Sequence, residues 1–285
     1  MKVENACIPC IMKQAYNTAR RATSDQDMIR TIMNKAADHV KSISFDMTPA
    51  DASNYVYEIT KELSGISDPY LEEKQKYNQI CRSMLPEVRK KIEASTDPLQ
   101  AAVRVAILGN LIDLGIGLEF DLDKDLERVF TEPFAADDYE SFAAFLKTGR
   151  KRILYLGDNA GEIFFDRLLV EKLCVDHTVI FVVKKSPIIN DATLEDARDA
   201  GITDLVKVID TGSCGIGVKW NEVSKEFMEE YQKADMIISK GQGNFETMSG
   251  KKGRKYFLLR AKCDSVARML GVSFGGIVIK ESIDT

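Results

Sequence analysis

The chain has 285 residues, 45% of them hydrophobic and 29% charged, the composition of a globular protein with core enough for about two domains. A net charge of −5 without a basic cluster interleaved with aromatics gives no footprint for nucleic acid, and no apolar run approaches membrane-spanning length. MKVENACIPC lacks a signal-peptide pattern, so the expected location is the cytosol, where the six cysteines stay reduced.

From Pro9 to about Leu114 the pattern is helical. Ile11, Ala15, Ala19 and Ala22 recur at helical spacing, and Ser24 with Asp27 resembles a capping box ahead of Met28, Ile32, Ala36 and Val40. Thr48-Pro49 and Asp68-Pro69 each place a cap residue before a first-turn proline. The first opens a helix carrying Ala52, Tyr55, Val56, Ile59 and Leu63 and closed by Gly65; the second reads as polar and exposed, with Pro86 starting another short helix. Asp97-Pro98 begins the most apolar helix, LQAAVRVAILGNLIDLG, in which Asn110 and Asp113 continue the stripe of Leu99, Ala102, Val103 and Ala106. An amide and a carboxylate on such a face need partners, either in a neighbouring helix, in solvent at the helix end, or in an active site. A polar connector with more short helices is expected between Phe120 and Gly149.

From Lys151 strands alternate with helices. The strands are expected at Ile153–Leu156, Val179–Val183, Leu205–Ile209, Met236–Ser239, Tyr256–Leu259 and Ile277–Ile279, with helices around Ile163–Leu173, Leu194–Ala200, Glu222–Tyr231 and Ser265–Leu270. This is a doubly wound α/β pattern with a mostly parallel sheet. It divides the chain into a helical half with connector, 1–149, and an α/β half, 150–285.

Parallel strands deliver their C-terminal turns to one edge, where open sheets bind ligands. The turn after the first strand, within ILYLGDNAGE, holds Asp158 and Asn159; later turns hold Lys184, Ser186 and Asp191, then Thr211 to Ser213, then Lys240, Gly241, Gly243, Asn244 and Glu246, and last Arg260 to Cys263. Any one of these is an ordinary turn composition, but their coincidence favours a site. Asp158, Asn159 and Asp191 offer hard oxygen ligands suited to Mg²⁺ or Mn²⁺, while Lys240 and the glycines beside it suit phosphate oxygens. Neither GxGxxG nor a P-loop is present. Cys7 and Cys10 form a CxxC pair with no partners for a structural zinc site, which leaves a packing role or a redox-sensitive or accessory metal pair; His39 and His177 read as bystanders.

GDNAGE, SPIINDAT, SKGQGNFE, AILGNLIDLG and the N-terminal CIPC together resemble the damage-control phosphatase family, also catalogued as domain of unknown function 89. The resemblance covers nearly the whole chain, and CIPC matches the stand-alone microbial subgroup. It implies a helical domain packed on a Rossmann-like α/β/α domain. It also implies phosphatase activity on small phosphorylated metabolites, such as sugar phosphates or phosphorylated cofactors, dependent on Mg²⁺, Mn²⁺, Co²⁺ or Ni²⁺. By that resemblance Asp158, Asn159 and Asp191 bind the metal, and Lys240 contacts phosphate among Ser186, Gly241, Gly243 and Asn244. Asn110 and Asp113 reach the site from the helical domain, and either water or Asp158 attacks the phosphoryl group. The rival readings are an S-adenosylmethionine-dependent methyltransferase and a non-catalytic metal or metabolite-binding protein.

Overall fold

Residues 1–108 and 130–285 are described by a computed structural model. Five helices come first: α1 (Cys7–Ala22), α2 (Gln26–Val40), α3 (Pro49–Ser64), α4 (Leu71–Ala94) and α5 (Pro98–Leu108). Each start has a local cause. The Asp25 side chain accepts from the backbone of Asp27 and Met28, so Asp25 caps α2 in place of the expected Ser24. Thr48 caps α3 ahead of Pro49, and Gly65 ends that helix at φ 72°, a conformation that favours glycine.

The expectation for α4 is overturned. It is one helix of 24 residues running through Pro86, with Lys74, Tyr77, Asn78, Cys81, Met84, Val88 and Ile92 buried along one stripe. Proline removes one helical hydrogen bond, but Met84 and Val88 on either side pack into the core, which offsets that loss.

The second half supplies β1 (Ala136–Asp137), α6 (Tyr139–Lys147), β2 (Arg152–Leu156), α7 (Glu162–Leu173), β3 (Thr178–Val183), α8 (Leu194–Asp199) and β4 (Lys207–Asp210). It continues with α9 (Lys225–Lys233), β5 (Met236–Lys240), α10 (Gln242–Met248), β6 (Gly253–Arg260), α11 (Asp264–Leu270) and β7 (Ile277–Asp284). The sheet order is β1-β7-β6-β5-β2-β3-β4, parallel throughout except for the antiparallel pair β6–β7. α6 is one of the short helices expected in the connector, whereas β1 and α10 were not foreseen: two residues carry no strand signal, and Gly243 makes α10 read as a turn.

Alternation along the strands divides the sheet into two cores. Ile153, Tyr155, Val179, Phe181, Met236 and Ile238 face α4, α5, α6 and α7. Leu154, Leu156, Ile180, Val182 and Ile237 face Phe227, Phe245, Met248 and Val266 of α9, α10 and α11. This is the expected α/β/α layering. The first core draws its outer layer from α4 and α5, so packing crosses the division at 149/150. Among the described residues no helix is long and apolar enough to cross a membrane.

Candidate metal and phosphate site

The turn after β2 is built by close backbone approach. A Cβ on Gly157 would lie 2.9 Å from the Phe181 ring, so the chain there accepts no side chain. Asp158 and Asn159 follow, and Gly161, at φ 77°, leads into α7. The Gly161 N–H donates to Asn78 Oδ1 of α4 at 2.6 Å. The loop after β3 zips onto this turn: Ala160 N–H donates to the Asn190 carbonyl and Ala192 N–H to the Asp158 carbonyl, each at 2.8 Å. Asn159 and Asp191 thereby form an isolated antiparallel bridge. Two separate strand ends thus hold all three expected ligand residues side by side. Between them Ile189 adopts φ 46°, a costly conformation for a β-branched residue.

Charge is crowded here. Asn159 Nδ2 donates to Asp158 Oδ2 at 3.0 Å and to Glu162 Oε2 at 3.4 Å. Lys184 Nζ lies 3.4 Å from Asp191 Oδ2 and donates to the Gly217 carbonyl. Behind them the Lys240 ammonium is bonded to Glu162 Oε1 and lies 2.7 Å from Asp166 Oδ1. Tyr155 donates to that same Asp166 oxygen at 2.7 Å. Four carboxylates therefore share two buried lysines. Burial raises Asp158 above the usual carboxylate range against the pull of Lys262, Lys240 and Lys184. Asp191 is pushed up to about 7, again by burial, with Lys184 opposing. Burial alone would lower Lys240, but Asp166 and Glu162 lift it above its ordinary range, so it stays protonated.

The expected phosphate-side residues occupy different places. Lys240 is fully buried, its ammonium held by two carboxylates behind the turn and not presented to the edge. Strand parity carries the reason: Lys240 shares its face with Met236 and Ile238, the face covered by α7. Asn244 Nδ2 donates to the carbonyls of Gly157 at 3.0 Å and Lys240 at 2.8 Å, stitching β2 to β5. Gly241, at φ 78°, packs so closely that a Cβ would fall within the Asp158 carboxylate. Gly243 packs on Ile216 and lines a cavity of about 430 Å³ with Gln242, Glu246 and Lys262. Ser186 is half-buried on the loop after β3. Asn110 and Asp113 lie outside the described residues.

Sequence reasoning gave no role to Glu162, Asp166 or Lys262. Glu162 and Asp166 lie four residues apart on α7, hence on one helix face, which was the available signal. Lys262 is exposed, and after burial it is the strongest influence on Asp158. Cys7 and Cys10 lie at the start of α1 and line the same cavity as Cys263, all as free thiols. His39 Nε2 donates to the Ala52 carbonyl at 3.0 Å, and His177 Nδ1 accepts from Lys151 N–H at 3.2 Å.

Among the described residues no three His, Cys, Asp or Glu side chains converge as a metal cluster. The expected donor set is instead two carboxylates and an amide, all hard oxygen donors, and the charged forms of Asp158 and Asp191 that burial disfavours are what a divalent cation would stabilise. The residues fit such an ion.

A family model described as the damage-control phosphatase ARMT1-like domain matches residues 3–278. A damage-control phosphatase of Pyrococcus horikoshii is 38% identical over 283 residues, covering 98% of this chain and 97% of that protein. A damage-control phosphatase of Archaeoglobus fulgidus is 34% identical over 291 residues, covering 98% and 99%. The crystal structure of a DUF89 family protein from Pyrococcus horikoshii superposes with a TM-score of 0.90 at 37% identity, covering 98% of each chain.

Proposed function

Because this chain belongs to the damage-control phosphatase ARMT1-like family, we propose that it is a metal-dependent phosphomonoester hydrolase whose metal is held by Asp158, Asn159 and Asp191. The observation that carries the reading is the zipping of two strand ends, which sets three hard oxygen donors beside one another in a cluster with surplus carboxylate. A bound Mg²⁺ or Mn²⁺ would supply Lewis-acid polarisation of a phosphoryl oxygen.

The remaining work belongs to the chain. Lys262, exposed in the cavity that Gly243 lines, attracts the anionic substrate to the edge and offsets charge on its oxygens. Gly241 and Gly243 let the backbone approach without side chains in the way. By the resemblance of AILGNLIDLG to the family's motif, Asn110 contacts the substrate and Asp113 takes a catalytic part. The substrates are small phosphorylated metabolites of the sugar phosphate or phosphorylated cofactor classes. A methyltransferase reading leaves the paired Asp158 and Asp191 without a task, and a binding-only reading predicts no turnover.

The test is phosphate release from a panel of sugar phosphates and phosphorylated cofactors, with Mg²⁺, Mn²⁺, Co²⁺ and Ni²⁺ supplied in turn. Turnover should require a metal, and Asp158→Ala or Asp191→Ala should lower it at least about a hundredfold. No release with any metal, or full activity in Asp158→Ala, would overturn the proposal.

A further inference from the structure

We infer that the buried trio Lys240, Glu162 and Asp166 orients the Asn159 amide, so that Glu162 and Lys240 are positioning residues that meet neither phosphate nor metal. This rests on the reading of Asn159 as a metal ligand. The three side chains are 0% exposed, and the Lys240 ammonium bonds Glu162 Oε1 and Asp166 Oδ1 together. To reach a phosphate it would have to leave both carboxylates.

Glu162 has two oxygens in different employment. Oε1 takes Lys240, and Oε2 accepts from Asn159 Nδ2 at 3.4 Å. The same amide nitrogen donates to Asp158 Oδ2 at 3.0 Å. An asparagine amide carries donors on one end and lone pairs on the other, so a flip exchanges a ligand for a repelling NH₂ group. With its nitrogen bonded to two carboxylates, Asn159 is left with its carbonyl oxygen for a cation. Lys240 and Asp166 fix where Glu162 stands, and Tyr155 fixes Asp166 at 2.7 Å. An outer-shell partner of this kind tunes metal affinity by orienting a ligand it touches.

The orienting role makes a prediction opposite to that of simple charge. If Asn159 were only a ligand, Asn159→Asp would add negative charge and tighten the ion. If its N–H donors matter, Asn159→Asp sets a third carboxylate against Asp158 and Glu162 and weakens binding. Mn²⁺ titration calorimetry of the metal-free full chain reads this without turnover. Asn159→Asp and Glu162→Gln should each weaken Mn²⁺ by at least about tenfold. Asp166→Asn, which leaves the Glu162–Asn159 contact, should weaken it less than Glu162→Gln. An Asn159→Asp protein binding Mn²⁺ as tightly as the parent would overturn the inference, whatever the Glu162 variant does. So would equal losses in Asp166→Asn and Glu162→Gln. Asp158→Ala is the separate control: if it binds Mn²⁺ like the parent, the metal site itself is wrong.

Discussion

Glu246 is a carboxylic acid inside the protein, 7% exposed on α10, one turn beyond Gln242. Burial pushes it up to about 7, although the Gln242 amide donates to it at 3.0 Å and favours the ionised form. Its folded value is therefore raised above the 4.5 of an ordinary glutamate. The folded protein binds this proton more tightly than the unfolded chain, so the contribution is fully present below about pH 4.5 and is lost as pH rises through about 7. The size is on the order of 3 kcal/mol. Glu246→Gln removes the titration while keeping the shape. The variant should melt above the parent at pH 8, and the gap should close towards pH 5. Parallel melting curves at the two pH values would show that Glu246 does not titrate in this range. Lys240 teaches the other half at this scale: its place at a strand end was legible in SKGQGNFE, and its direction was not. Parity with Ile238 decides which face it enters, and the acids that meet it come from a helix far away in sequence.

At the scale of elements, the strands of the α/β half were legible within one or two residues at most of their starts, because buried parallel strands are short apolar runs closed by turns. The polar residues of α4 pointed the wrong way. Lys74 and Asn78 suggested a solvated face, yet Lys74 pairs with Asp68 at 2.7 Å in the interior. Asn78 accepts from Gly161 N–H and donates to Asp196 Oδ1 at 2.9 Å, joining α4 to the turn that carries Asn159 and to the cap of α8. Polarity alone cannot separate a solvated residue from one whose partner lies 83 residues away. Asn78→Leu keeps the volume and removes the acceptor, leaving the Gly161 N–H buried without a partner. That should cost about 1–3 kcal/mol, read as a lower urea midpoint with an unchanged slope. The Mn²⁺ affinity should fall with it, since the same bond anchors the turn proposed to hold the metal. A variant as stable as the parent would mean that the turn holds itself.

For the molecule as a whole, the composition break near Lys151 was plain in the sequence, but it marks a change of element type and not a gap in packing. Phe164, Phe165, Leu168 and Leu169 of α7 share one core with Cys81, Met84 and Val88 of α4 and with Ala102, Val105 and Ala106 of α5. The outer layer over that face of the sheet is therefore contributed by the first half of the chain. β7 is also completed from outside the second half, by β1 and by Ser141, whose hydroxyl donates to Glu281 at 2.7 Å. A fragment of residues 150–285 would expose the α7 face to water. Each large apolar side chain so exposed costs about 1.5–3 kcal/mol, and four of them approach the whole 5–15 kcal/mol stability of a typical domain. The fragment should therefore show no cooperative thermal transition, while the full chain melts as one unit. Calorimetry on both proteins decides between the alternatives. A sharp endotherm from the fragment would make α4 and α5 a docked layer over an independent domain, and the turn carrying Asp158 and Asn159 would then form without Asn78.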